Sequence, residues 1–138
     1  MSQAPLVLVA DNDPDVSAML AEVLHLHGAR VEVVADGGAA IDRLREGDVD
    51  LLVCDLDMPN VDGEGVVQAL PGLRSPPPVV IVTGFVEDAT VARLQASPHV
   101  CRVMIKPFDV IEFARQACAI AQQHAGARAA SLAASSDG

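Results

Sequence analysis

The sequence predicts a doubly wound α/β domain, a five-stranded parallel sheet with five helices on its two faces. Three observations lead there. Five short apolar runs recur along the 138 residues, and segments of helical period separate them. Several of the runs are continuously apolar rather than alternating, as strands covered on both faces are. Strands alternating with helices imply right-handed crossovers and so parallel pairing.

The runs are Leu6–Ala10, Val31–Ala35, Leu51–Cys54, Val79–Val82 and Val100–Ile105. The first helix opens at Asp13-Pro14, a capping carboxylate followed by proline at the first helical position. Val16, Met19, Leu20, Val23 and Leu24 mark its inner face, and Gly28 ends it. A second helix covers Gly38 to Arg45, with Gly47 as its stop. A third follows Gly63, and Pro76-Pro77-Pro78 separates it from the fourth strand. A fourth spans about Glu87 to Ala96. The last starts at Asp109, with Val110, Phe113, Ala114, Ala117 and Cys118 facing inward. A unit of this size suggests the flavodoxin-like strand order 2-1-3-4-5, an expectation drawn from the fold class rather than from periodicity. From His124 the chain turns Ala-, Ser- and Gly-rich, which reads as a flexible tail or linker stub. The expected division is therefore a domain at 1–123 and a tail at 124–138.

Composition closes off several functions. A formal charge of −10 argues against direct nucleic-acid binding, since phosphate contact needs Lys and Arg in excess. The absence of Trp and Tyr removes a stacking platform for bases. No apolar run approaches the roughly 20 residues that span a bilayer, and the start has no basic and apolar leader pattern. The expected setting is cytoplasmic, away from membranes. Cys54, Cys101 and Cys118 lack metal-ligand spacing and sit in apolar stretches, so all three are expected as buried small hydrophobes.

In a parallel α/β sheet, ligands gather beyond the carboxyl ends of the strands. There strand one delivers Asp11-Asn12-Asp13, strand three Asp55-Leu56-Asp57, strand four Thr83-Gly84 and strand five Lys106-Pro107. Each alone has a plain structural role: Asp13 a helix cap, Asp55 a turn cap, Thr83 a β-branched strand end, Lys106 a solvated terminus. Together they gather acids, a hydroxyl and a lysine on one edge. Clustered carboxylates repel unless a cation or a lysine shares the site. Hard oxygen donors with retained waters suit Mg²⁺ rather than zinc, which prefers His or Cys.

Asp11 after an apolar strand, Asp55-Leu-Asp-Met-Pro-Asn-Val-Asp-Gly63, Thr83-Gly84 and Lys106-Pro107-Phe108 together resemble the response regulator receiver family, over roughly residues 5 to 123. The resemblance implies that Asp55 accepts a phosphoryl group from a histidine kinase, a phosphotransfer protein or a small phosphodonor. It implies Mg²⁺ at Asp11 (through water), Asn12, Asp55 and the Asp57 backbone carbonyl. Lys106 and the Thr83 hydroxyl would hold the remaining phosphoryl oxygens, and Met58-Pro59 and Gly63 would shape the surrounding loop. It implies a domain that catalyses only its own aspartyl phosphorylation and dephosphorylation, with a downstream protein target. A homodimer face would be made by the fourth helix, fifth strand and fifth helix.

Two positions depart from the family pattern. The acidic pair after strand one is normally two carboxylates, and here the second is Asn12, whose amide oxygen coordinates without charge. Val103, three residues before Lys106, stands where the family commonly carries Tyr or Phe. A short, stiff side chain there puts the usual threonine–aromatic coupling in doubt. These departures motivate an alternative, a receiver-like interaction module with weakened phosphate signalling. A haloacid-dehalogenase-type phosphatase is a further rival on Asp55-x-Asp57, Thr83 and Lys106. That family normally begins with its Asp-x-Asp strand and needs a later acid pair, whereas here only Asp109 follows Lys106 closely. An EF-hand reading of Asp11–Asp15 with Glu22 fails, because Val16 stands where the loop needs glycine and Pro14 occupies its fourth position. Flavin binding lacks a phosphate loop.

Overall fold

A computed structural model describes residues 4–84 and 87–136, with side chains to residue 131. Five strands alternate with five helices: β1 (Leu6–Ala10), α1 (Pro14–Leu26), β2 (Arg30–Val34), α2 (Gly37–Arg45), β3 (Leu51–Cys54), α3 (Gly63–Ala69), β4 (Val79–Thr83), α4 (Asp88–Gln95), β5 (Val100–Ile105) and α5 (Val110–Ser136). The sheet is wholly parallel in the order β2-β1-β3-β4-β5, as expected. β2 begins one residue earlier than the apolar run suggests, at Arg30.

The strand sequences explain the layering. β1, β3 and β4 are central and buried at every position, and apart from Thr83 at the end of β4 they are apolar on both faces. Alternate side chains feed two cores. Leu8, Ala10, Leu52, Cys54 and Ile81 pack with Ala40, Leu44, Val66 and Leu94 from α2, α3 and α4. Val7, Val9, Leu51, Val53 and Val82 pack with Leu20, Leu24, Phe113 and Ala117 from α1 and α5. Phe113 is fully buried, with its ring centroid 5.5 Å from that of Phe108. A side chain of that size contributes about 2–3 kcal/mol by leaving water.

Helix starts follow capping chemistry. Asp13 accepts from the Asp15 N–H at 3.0 Å with Pro14 behind it, and Gly28 ends the α1 turn at φ +97°. Asp36 and Asp62 cap α2 and α3, each accepting an N–H three residues on at 2.8 Å. Asp109 caps α5 through the Ile111 N–H at 2.9 Å.

Three expectations are corrected. Met19 lies on the rim of α1 and is exposed, because the sheet is too narrow to cover the whole apolar stripe. Cys101 is exposed because β5 is an edge strand without helices over both faces, whereas Cys54 and Cys118 are buried. Residues 124–136, expected as a tail or linker stub, are helical: α5 runs unbroken from Val110 to Ser136. Alanine is the best helix former, and it outweighs the single Gly126. No helix among the described residues is long and apolar enough to cross a membrane.

Candidate functional site

All four strand ends meet at the carboxyl edge of the sheet. Register brings Ala10 beside Cys54 and Thr83 beside Ile105, so the residues that follow emerge together. The Asp55 N–H donates to the Ala10 carbonyl at 3.0 Å, and the Lys106 N–H to the Thr83 carbonyl at 2.8 Å. Asp11, Asp55 and Thr83 are buried, at 3, 8 and 2% exposure. Lys106 leans in from β5, with Nζ 3.7 Å from Asp11 Oδ2.

The carboxylates are held unequally. Asp11 Oδ1 accepts the Asp13 N–H at 2.8 Å, which ties this acid to the start of α1. Its Oδ2 is buried with no hydrogen-bond partner. Asp55 Oδ1 accepts the Asp57 N–H at 3.3 Å. Burial raises the Asp55 carboxyl above the usual carboxylate range; the Asp57 N–H pulls it down, Asp11 adds to the rise, and Lys106 opposes it. The neighbouring Cys54 is pushed up too, by burial and then by Asp55, so it stays a thiol and is no rival nucleophile.

The loop from β3 to α3 is shaped by close approach. A Cβ on Gly63 would lie 2.3 Å from the Asp55 carbonyl oxygen and 2.8 Å from Leu56 Cα, so no side chain fits. The Gly63 N–H instead donates to the Leu56 carbonyl at 3.0 Å. Met58 tucks into the core beneath, and Asn60 turns the chain at φ +67°. Gly37 is equally constrained, its Cβ position lying 2.0 Å from the Val61 carbonyl. That contact joins α2 to the same loop and was not legible, because nothing in Gly37-Gly38 says which loop it meets.

The donor set suits a hard divalent cation. Asp11 offers a buried oxygen with no proton donor, Asp55 a second carboxylate, and both are oxygen ligands of the kind Mg²⁺ takes. Asn12 and Asp57 are exposed at the mouth. Among the described residues no group of three or more His, Cys, Asp or Glu side chains converges as a metal cage, in keeping with an amide at position 12. Val103 is partly buried on the α2–α4 side of the sheet, against the core that includes Leu94. Phe85 and Val86, which follow Gly84 in the sequence, lie outside the described residues.

Comparison with known proteins converges on one family. The model of the response regulator receiver domain matches residues 7–117. The transcriptional regulatory protein PrrA of Mycobacterium tuberculosis is 36% identical over 110 residues, covering 79% of this chain and 46% of that protein. The response regulator receiver protein CpdR of Brucella abortus is 29% identical over 104 residues, covering 75% of this chain and 86% of that protein. The chain spans about half the length of the PrrA relatives it matches. A receiver domain protein of Methanospirillum hungatei superposes with a TM-score of 0.80 at 16% identity, covering 88% of this chain and 97% of that one. Its likeness concerns the fold, and it has the same doubly wound architecture. From strand order, strand-end chemistry and the match along residues 7–117, the chain belongs to the response regulator receiver domain family.

Proposed function

We propose that this domain is a phosphorylation switch that takes a phosphoryl group on Asp55 from a histidine kinase or a phosphotransfer partner. The observation that carries the reading is the convergence of Asp55 with Asp11 and Lys106 at the carboxyl edge, with Asp11 Oδ2 buried, without a hydrogen bond and faced by the Lys106 ammonium. An Asp55 oxygen attacks phosphorus as the bond to the donor's imidazole nitrogen breaks, and the electron pair leaves with that nitrogen. The attack needs no general base, because a carboxylate ionises unaided near neutral pH. Lys106, 29% exposed along its side chain and 3.7 Å from Asp11 Oδ2, is the cation proposed for phosphoryl oxygens added at Asp55. The Thr83 hydroxyl lies at the end of the neighbouring strand and is the donor proposed for another of those oxygens. Asp11 (through water), Asp55, the Asn12 amide and the Asp57 carbonyl would hold Mg²⁺, which would supply the positive charge that phosphoryl transfer requires.

Incubation with Mg²⁺ and acetyl phosphate or phosphoramidate, followed by intact mass, tests this. One phosphate is expected on the parent and none on Asp55→Asn, while Lys106→Ala is expected to fold and to label or respond poorly. Equal labelling of Asp55→Asn would overturn the assignment. A second reading, an interaction module with weakened phosphate signalling, draws on Asn12 and Val103 and is favoured if the parent stays unlabelled. In either case the partners are proteins, since the charge of −10 disfavours nucleic acid. The face made by α4, β5 and α5 is the proposed surface for a second copy. The phosphatase alternative loses its footing with the acceptor on the third strand of a receiver fold.

A further inference from the structure

At the opposite end of β3 from Asp55 sits another buried carboxylate, which the acceptor chemistry does not use. Asp50 is fully buried. Its Oδ2 accepts the Leu6 N–H at 3.0 Å, which fixes the start of β1. Its remaining partners come from far along the chain, on α5. His124 Nδ1 lies 3.1 Å from Oδ1, and Arg128 Nη2 lies 2.9 Å from Oδ1 and 3.1 Å from Oδ2. A carboxylate only accepts, so Nδ1 is the protonated nitrogen of His124 in this contact. Arg128 Nη1 also donates to Asp48 at 2.8 Å.

The attachment of α5 changes character along its length. Up to Ala121 the helix is held by apolar packing, with Phe113, Ala114, Ala117, Cys118 and Ala121 all buried. From Gln122 to Ser131 no side chain is a buried hydrophobe. A cavity of about 370 Å³ lies beside this stretch, between the helix and the segment ahead of β4, lined by Ser75, His124 and Arg128 among others. The Arg128 Nε has no hydrogen-bond partner there. This stretch of α5 is thus loosely packed and tied down by two polar side chains, His124 and Arg128 on Asp50, with Arg128 reaching Asp48 as well.

We propose that residues 122–131 form a detachable strap, closed on the base of the sheet by Asp50 through His124 and Arg128, and released as a unit separately from the first half of α5. His124 and Arg128 are one helical turn apart and face the same acceptor, so losing either loosens both. Release carries Arg128 and His124 into water and leaves Asp50 with the Leu6 N–H. The strap and the acceptor site lie at opposite ends of one four-residue strand, but the inference does not depend on phosphorylation.

Hydrogen exchange read by mass spectrometry on the full chain tests it, comparing the parent with Arg128→Gln, His124→Ala and Asp50→Asn. In the parent, amides at 122–131 are expected to exchange faster than those at 113–121. In Arg128→Gln they are expected to speed up at least tenfold while 113–121 hold their protection. Equal protection along all of α5, or acceleration of both halves together, would show one rigid helix and overturn the strap. Unchanged exchange at 122–131 in Arg128→Gln would show that Asp50 does not close it. Should Asp50→Asn fail to fold, the Arg128 and His124 variants leave the buried carboxylate in place and decide the matter.

Discussion

Asp11 and Asp55 are two carboxylates in one cleft, and they differ in what surrounds them. Asp11 has Lys106 beside one oxygen and a helix-start N–H on the other, whereas Asp55 has backbone donors, Asp57 at 3.3 Å and Leu56, and is penalised by burial. Because its folded pKa is raised, the folded chain keeps the Asp55 proton to higher pH than the unfolded chain does. Stability therefore falls as pH rises between the two values, and the penalty is complete above the folded one. Asp55→Asn removes it. That variant is expected to be more stable than the parent at pH 7, with the gap closing below about pH 4, the range of an unfolded carboxylate. Thermal melts at the two pH values check this, and a variant less stable at pH 7 contradicts it. Asn12→Asp adds a charge at the cleft mouth and is expected to tighten Mg²⁺ several-fold while lowering stability without metal, as a titration would show. Equal or weaker affinity would remove Asn12 from the metal set. Asp11, Asp55, Thr83 and Lys106 were legible because strand ends follow from where apolar runs stop. Asp50 was not, since its partners lie 74 and 78 residues away and no local pattern marks them.

Among the elements, the two helices that flank β5 are held with unequal grip. α4 buries a single side chain, Leu94, while α5 buries five. An Arg93–Glu64 ion pair at 2.6 Å ties α4 to α3, but it lies at the surface, where such pairs contribute little. α4 is therefore the element free to answer a change at Thr83. Val103 offers no ring to swing into space that Thr83 leaves, so the response should stay modest and pass through Gly84 to Glu87 and α4. With Mg²⁺ and beryllofluoride, amide shifts are expected to be larger there than along β5 and α5; the reverse would reroute the signal. The order of elements and most of their bounds were legible from the two periodicities. The length of α5 was not, because an Ala-rich stretch suits both a linker and a helix, and only Asp50 across the fold decides between them.

For the molecule as a whole, the proposed acceptor site and the proposed strap occupy opposite edges of the sheet, the strand ends after and before β3. Shortening the chain at Gln123, the boundary composition suggests, would strip Asp50 of both α5 partners. Such a chain is expected to lose about 2 kcal/mol of stability in denaturant unfolding, the cost of a buried acceptor left short of donors; unchanged stability would make residues past 123 dispensable to the fold. The exposure of Cys101 has a practical side. Cys54 and Cys118 are buried and their thiols are raised, so a maleimide dye offered at neutral pH meets one reactive sulfur per folded chain. That sulfur stands on β5, two positions from Val103. The unmodified sequence thus carries its own attachment point for a fluorophore or spin label, placed to report on the strand where the missing aromatic ring would have moved.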